Sequence, residues 1–394
     1  MKSMRLGFGG SVVFFCGALF AAGCSDDGGS GDGQGAGSGG TGGANAGGGT
    51  GGSGVSANCM ESPLFSARPY GTDGYDLIRA VRSDEVSGDT YFSVMDDFFV
   101  LRANATEPVR LAVRPGNDVS YDFWLTDDSL LFPGGLTQEL DPAVLFETDR
   151  SAANPKILIP LPEDTSLNWL YEAGKVLVMG DDVFWIARDR YTDDPSDLLP
   201  DWQTTYAVRR TSLRSPGEPT DVYTSDRYID SLIVAAGKAF VEEEVGEEQS
   251  FDFEQRIVEI ATGAVDPMTA TERYGGTVIA GDDDTLIVTK LDFENPSAFG
   301  TYGVSPDGSG SERFTESAFL GNIAHRDGLW VFTEIATGSE PTPVMTYRRG
   351  ETPRVIGCID RRSSTTDHDL WIGADEALIP IFRDQTSTIL RFEL

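Results

Sequence analysis

The residue types that carry most enzyme chemistry are thinly supplied in this chain. Only two histidines, His325 and His368, occur in 394 residues. No G-x-S-x-G elbow presents an activated serine to either one. No H-E-x-x-H, Walker or EF-hand pattern is present, and the nitrogen and sulfur ligands of an ordinary zinc site are lacking. Carboxylates are the abundant type, with 63 Asp and Glu against 30 Lys and Arg and a formal charge of -33. Such a surface repels phosphate backbones, which excludes nucleic acid as a partner. The chemistry left open is that of oxygen ligands and carboxylate acid–base pairs, beside the plainer reading that the acids solvate loops.

The four cysteines divide by position. Lys2 and Arg5 precede an apolar stretch from Leu6 to Phe20, and Ala21-Ala22-Gly23 leads into Cys24. This is the basic, apolar and small-residue order of a signal peptide. The stretch is shorter than the roughly 20 residues a membrane span needs, and glycines interrupt it. Ala21-Ala22-Gly23-Cys24 resembles the lipobox of bacterial lipoproteins, with Ala21 where that family usually has Leu. The resemblance implies cleavage after residue 23, acylation of the Cys24 thiol and tethering to a membrane of the bacterial cell envelope. Ser25, rather than Asp, follows the cysteine, and in the family this implies the outer membrane.

Residues 24–58 then form a linker in which nearly every residue is Gly, Ser, Ala, Thr, Asn or Asp, with no apolar periodicity from which a core could form. Its random-coil reach is about 30 Å. Gly35 to Gly40 match G-x-G-x-x-G, but no strand precedes them and no helix follows, so the match carries nothing. Export leaves Cys59 and Cys358 in an oxidising compartment, where one disulfide between them is expected.

Residues 59–394 read as one all-β domain, with short β-branched and aromatic runs between clusters of Asp, Gly, Asn and Pro. One unit recurs: a short strand, a turn with Asp or Gly, then a compact apolar strand, with third and fourth strands following in most units, as expected over 256–260 and 265–271. That apolar strand is expected at 97–101, 128–132, 182–186, 237–241, 284–288, 328–332 and 376–380. The mean spacing is about 46 residues, within the range of propeller repeats. A propeller blade is a four-stranded sheet packed on both faces, so its inner strands should be continuously apolar rather than alternating. Val183-Phe184-Trp185-Ile186 and Leu329-Trp330-Val331-Phe332 are of this kind.

On these units the chain resembles secreted bacterial β-propellers, and the resemblance implies about seven blades; a stacked β-sandwich is the alternative. The last unit has only three strands within its own residues. A segment near Pro63 to Arg68 would supply its outer strand and close the ring. Cys59 and Cys358 would then flank that closure.

In the repeat, Asp122, Asp230, Asn322 and Asp369 stand at the start of innermost strands, where a propeller would gather them at one mouth of its channel. A ring of acids there would hold a cation such as calcium or act on a glycosidic bond. Asp and Asn also begin strands merely to satisfy turn backbone. No other cofactor is implied. The acidic, aromatic-bearing segments 189–202 and 242–254 are further candidate surfaces, because long departures from a repeat often carry binding. The sequence favours a membrane-tethered binding protein for a protein or glycan ligand. A carbohydrate-active hydrolase or lyase and a purely structural envelope component are the alternatives.

Overall fold

The computed structural model describes residues 63–394 except 68–77, 95–96, 114–121, 135–142, 153, 163–167, 197–200, 247–251, 293–294, 336–340, 361–363, 366–369 and 384–385. Cys24, Cys59, His368 and Asp369 lie outside the described residues.

Seven antiparallel sheets follow one another along the chain. Six of them are simple four-stranded meanders at residues 78–113, 124–160, 169–225, 229–265, 277–315 and 320–359, here blades 1 to 6. Blade 7 is built from both ends of the chain. Its strands Glu376–Arg383 and Thr386–Glu393 pair with each other, and Pro63–Ala67 pairs with Thr386–Glu393 as the outer strand. The innermost position is split between the short strands Ser364–Thr365 and Trp371–Ile372. The fold is a seven-bladed β-propeller, and the N-terminal strand closes its last blade as the sequence leads one to expect.

A separate hydrophobic cluster fills each junction between neighbouring blades. The one that seals the ring joins Ile78, Val81, Phe92, Phe99 and Leu101 of blade 1 to Leu378 and Ile389 of blade 7. Across the same junction the Ile78 backbone N–H donates to Ser387 Oγ at 3.2 Å. Packing on both faces accounts for the unbroken apolar runs: Ala239, Phe240 and Val241 are completely buried, as are Leu286, Ile287 and Val288. Turn chemistry fixes the register of these runs. At Ala236-Gly237 and Asp327-Gly328 both central residues have positive φ, the left-handed geometry that a two-residue hairpin needs.

Two expected elements fall elsewhere. In blade 1 the second strand is Asp89–Val94, and Asp97–Leu101 is the third. Both are buried almost throughout, so apolarity alone does not tell them apart. In blade 4 a fourth strand over 265–271 is replaced by the short strand Ala264–Val265 and a single-turn helix, Ala270–Tyr274. Thr269 and Glu272 form a capping box there, and it sets the chain into the helix before a strand can extend.

Candidate functional site: one mouth of the central channel

The innermost strands of most blades carry a β-bulge, near the N-terminal end in blades 4 and 6 and at mid-strand in blade 3. Gly174-Lys175 in blade 3 and Gly321-Asn322 in blade 6 each place two residues opposite one, while Asp230 is the extra residue of blade 4. A bulge turns side chains out of the regular sheet alternation. Around the channel mouth it brings charged groups together that are distant in sequence.

Lys175 is the centre of this group. Its side chain is exposed to water, yet protein crowds it from several blades. That surrounding pushes the ammonium below the usual lysine value, and the carboxylates of Asp122, Asp230 and Glu242 oppose the shift. Among the described residues none of the three is in direct contact with the ammonium. Asp122 also faces Arg82, whose Nη2 lies 3.9 Å from its Oδ1. Glu242 accepts a 2.8 Å hydrogen bond from Ser231 Oγ. Burial raises its pKa; the Ser231 bond and Lys175 work against that, and Asp230 adds to it. The site thus holds an amine and a carboxyl that resist charge, with water access.

Asp122 and Asp230, expected at one mouth from the repeat, both act electrostatically on Lys175. Asn322 begins the inner strand of blade 6, but it is 5% exposed and neither polar atom of its amide has a partner. Among the described residues no group of three or more His, Cys, Asp and Glu side chains converges to hold a metal ion.

Beside this mouth, blade 3 rises above its neighbours. Its strands Trp169–Met179, Asp182–Tyr191 and Gln203–Ser212 run to 10 or 11 residues, where most of the others have five to eight. The residues expected to form a loop at 189–191 are the end of this extended hairpin. One face carries Trp169, 42% exposed, stacked on Tyr171 at 5.9 Å and against Tyr191 at 4.9 Å. On the other face Tyr206 meets Tyr228 edge-on at 5.5 Å, with the Arg188 guanidinium over the Tyr206 ring. Tyr228 Oη donates to Asp230 Oδ1 at 3.4 Å and so ties this wall to the mouth.

Described residues line two further hollows. One of about 430 Å³ lies toward the C-terminal ends of the inner strands, among Arg82, Glu85, Trp124, His325, Arg326 and Trp371. Glu85 and Arg326 are paired through both carboxylate oxygens. His325 stacks on Trp330; burial lowers its pKa against the pull of Asp282 and Asp283. The other hollow, about 510 Å³, lies between blades 3 and 4 and includes Tyr223, Ser225, Glu243 and Arg256.

No protein-family model matches the chain, and no curated relative matches it significantly. Among solved structures, an oligogalacturonate lyase from Vibrio parahaemolyticus is similar with a TM-score of 0.52 at 10% identity, over 84% of this chain and 90% of that one. The β-propeller domain of the Trilobed protease from Pyrococcus furiosus, described as having an open velcro topology, gives 0.49 at 12% identity over 81% and 95%. An acylaminoacyl peptidase from Pyrococcus horikoshii gives 0.46 at 12% identity, with 76% of this chain covering 46% of that one. At such identities the likeness is one of fold, the seven-bladed propeller found here.

Proposed function

We propose that this chain is a lipid-anchored binding protein of the bacterial cell envelope, which takes a glycan at the channel mouth framed by blades 2 to 4. The observation that carries the reading is the exposed Trp169–Tyr171–Tyr191 stack on a hairpin rising beside Asp122, Lys175 and Asp230. A sugar ring presents apolar C–H faces and a rim of hydroxyls. Flat aromatic surface meets the first and paired charges meet the second. The signal sequence, the acylated Cys24 and the 24–58 linker would hold the domain clear of the outer membrane. Mass spectrometry of the mature N-terminus tests the anchor and should find an acylated Cys24; an unmodified N-terminus elsewhere would remove it.

One observation favours a hydrolase or lyase as a second reading. Glu242 keeps its proton more readily than an ordinary carboxyl and lies within the field of Asp230, the environment of a general acid beside a base. A glycan array probed with residues 25–394, followed by turnover assays on each hit, separates the two. Binding without turnover is expected, and Trp169→Ala should weaken it by roughly tenfold to a hundredfold, the loss of one stacked aromatic contact of about 1 to 3 kcal/mol. Turnover would favour the enzyme. Silence across the array, or hits indifferent to Trp169→Ala, would refute the glycan site.

A further inference from the structure

The smaller hollow, of about 430 Å³, reverses the charge balance of the chain. Acids outnumber bases by 63 to 30 in the sequence, yet the charged groups of its described lining are two arginines, Arg82 and Arg326, and one acid, Glu85. That acid is itself held. Glu85 stands in the turn between the first two strands of blade 1, and its carboxylate accepts from both terminal nitrogens of Arg326 in blade 6 and from the Ala374 backbone N–H of blade 7, the last at 3.0 Å. Donors from two other blades thus form a receptor for a carboxylate, which the chain's own side chain fills. Trp371 lies beside it: a Cβ on Gly373 would come 2.5 Å from Cη2 of that indole and 3.2 Å from Glu85 Oε1, so ring and carboxylate border one point. Trp124 of blade 2 lines the same hollow. Both indoles are only partly buried, and a cavity of this size with aromatic walls and a few polar groups suits a small planar ligand.

We propose that this hollow binds a small aromatic carboxylate, whose anionic group displaces Glu85 from Arg326 and Ala374 while its ring lies against Trp371. Glu85 is then the site's resident competitor. The side chains of Glu85 and Arg326 are 39% and 36% exposed, and an ion pair that wet adds little to stability. An incoming carboxylate therefore replaces it at small cost and regains the two parallel bonds that a guanidinium offers. Arg82, in the same lining, adds to the positive potential that draws an anion in. No residue of the blade 3 hairpin is in the described lining, so the site stands whether or not that hairpin binds a glycan.

The test is calorimetry of the full mature chain with benzoate and its neutral isostere benzamide, joined to hydrogen exchange with benzoate. Benzoate should bind at least about tenfold tighter than benzamide, and Arg326→Gln should remove about the same factor, that of a hydrogen bond to a charged group. Glu85→Ala should tighten benzoate by about two- to fivefold, because the donors no longer have to be freed from an exposed ion pair. A merely structural clasp would not give that gain. In the wild-type chain, benzoate should protect Ala324–Arg326 and residues 371–374 from exchange. The proposal is overturned if benzoate does not bind at millimolar concentration, if benzamide binds as well, or if Glu85→Ala binds benzoate no tighter than wild type. Protection centred on Trp169–Lys175 would overturn it too, by placing the anion at the other mouth.

Discussion

Replacing Cys358 with serine is expected to lower the unfolding free energy by about 3 to 5 kcal/mol, the range for a crosslink closing a very long loop, and to loosen the last blade before any other. Cys358 is buried near the end of Arg354–Ile359, the outer strand of blade 6. Pro63–Ala67, the outer strand of blade 7, begins shortly after Cys59 in sequence. A bond between Cys59 and Cys358 would pin the closing strand to the blade next door. Without it, Pro63–Ala67 is held by its ladder to Thr386–Glu393, and its loss would bare a sheet edge. Hydrogen exchange should therefore rise first in Pro63–Ala67 and Thr386–Glu393, while blades 4 and 5 stay protected. Free thiols at both positions in a non-reducing peptide map would remove the clasp. Loosening that begins in residues 229–315 would contradict its role in closure.

Glu243→Ala should cost about 2 to 4 kcal/mol, because it strips the acceptor from three donors at a junction of two blades. Glu243 is 4% exposed. Its carboxylate accepts from Tyr223 Oη at 2.7 Å, Ser225 Oγ at 3.1 Å and Arg256 Nε at 2.9 Å. Tyr223 and Ser225 belong to blade 3, while Glu243 and Arg256 belong to blade 4. Burial works against the charge on Glu243, but the bonds from Tyr223, Arg256 and Ser225 outweigh it and hold the carboxyl below its usual range. Burial, together with the same contact, pushes the Tyr223 hydroxyl up to about 12. A carboxyl with a lowered folded-state pKa stabilises the fold fully above its unfolded value, near 4.5, and loses that contribution as pH falls through the folded value. Denaturant midpoints of wild type and Glu243→Gln should accordingly differ at pH 7 and converge only once the pH has fallen through the lowered folded-state value. A gap that persists in acid would place the effect in packing rather than in the charge.

These residues also mark how far the sequence could be read. Continuous burial of second strands made six of the seven repeat units legible, because a strand packed on both faces cannot hide its composition. Blade 1 was misassigned since Asp89–Val94 and Asp97–Leu101 are adjacent and equally buried. The repeat marks Asp122 and Asp230 as starts of innermost strands, whereas Lys175 occupies no recurring position in it. Its signal was a lysine after Gly174 inside an otherwise apolar run. The segment 242–254 reads as one loop and a candidate binding surface, yet Glu242 to Glu244 belong to the strand Lys238–Glu244. Neighbouring strand residues face opposite sides, which sends Glu242 toward Ser231 and Glu243 toward Tyr223. Which acid falls on which side depends on register across blades, and no local pattern contains that information. Trp169 and Tyr171 stand two residues apart, which puts them on one face only once a strand is known there, and their projection above blade 3 depends on strand lengths that only the fold fixes.

The claim that the mouth framed by blades 2 to 4 is the ligand site is tested most directly by hydrogen exchange of residues 25–394 with and without a glycan that the array identifies. Protection is expected in Trp169–Lys175 and Ile229–Ser231, with the segment around Asp122 following. Protection centred instead on Ala324–Arg326 and Trp371–Ile372, the walls of the second cavity, would contradict that placement.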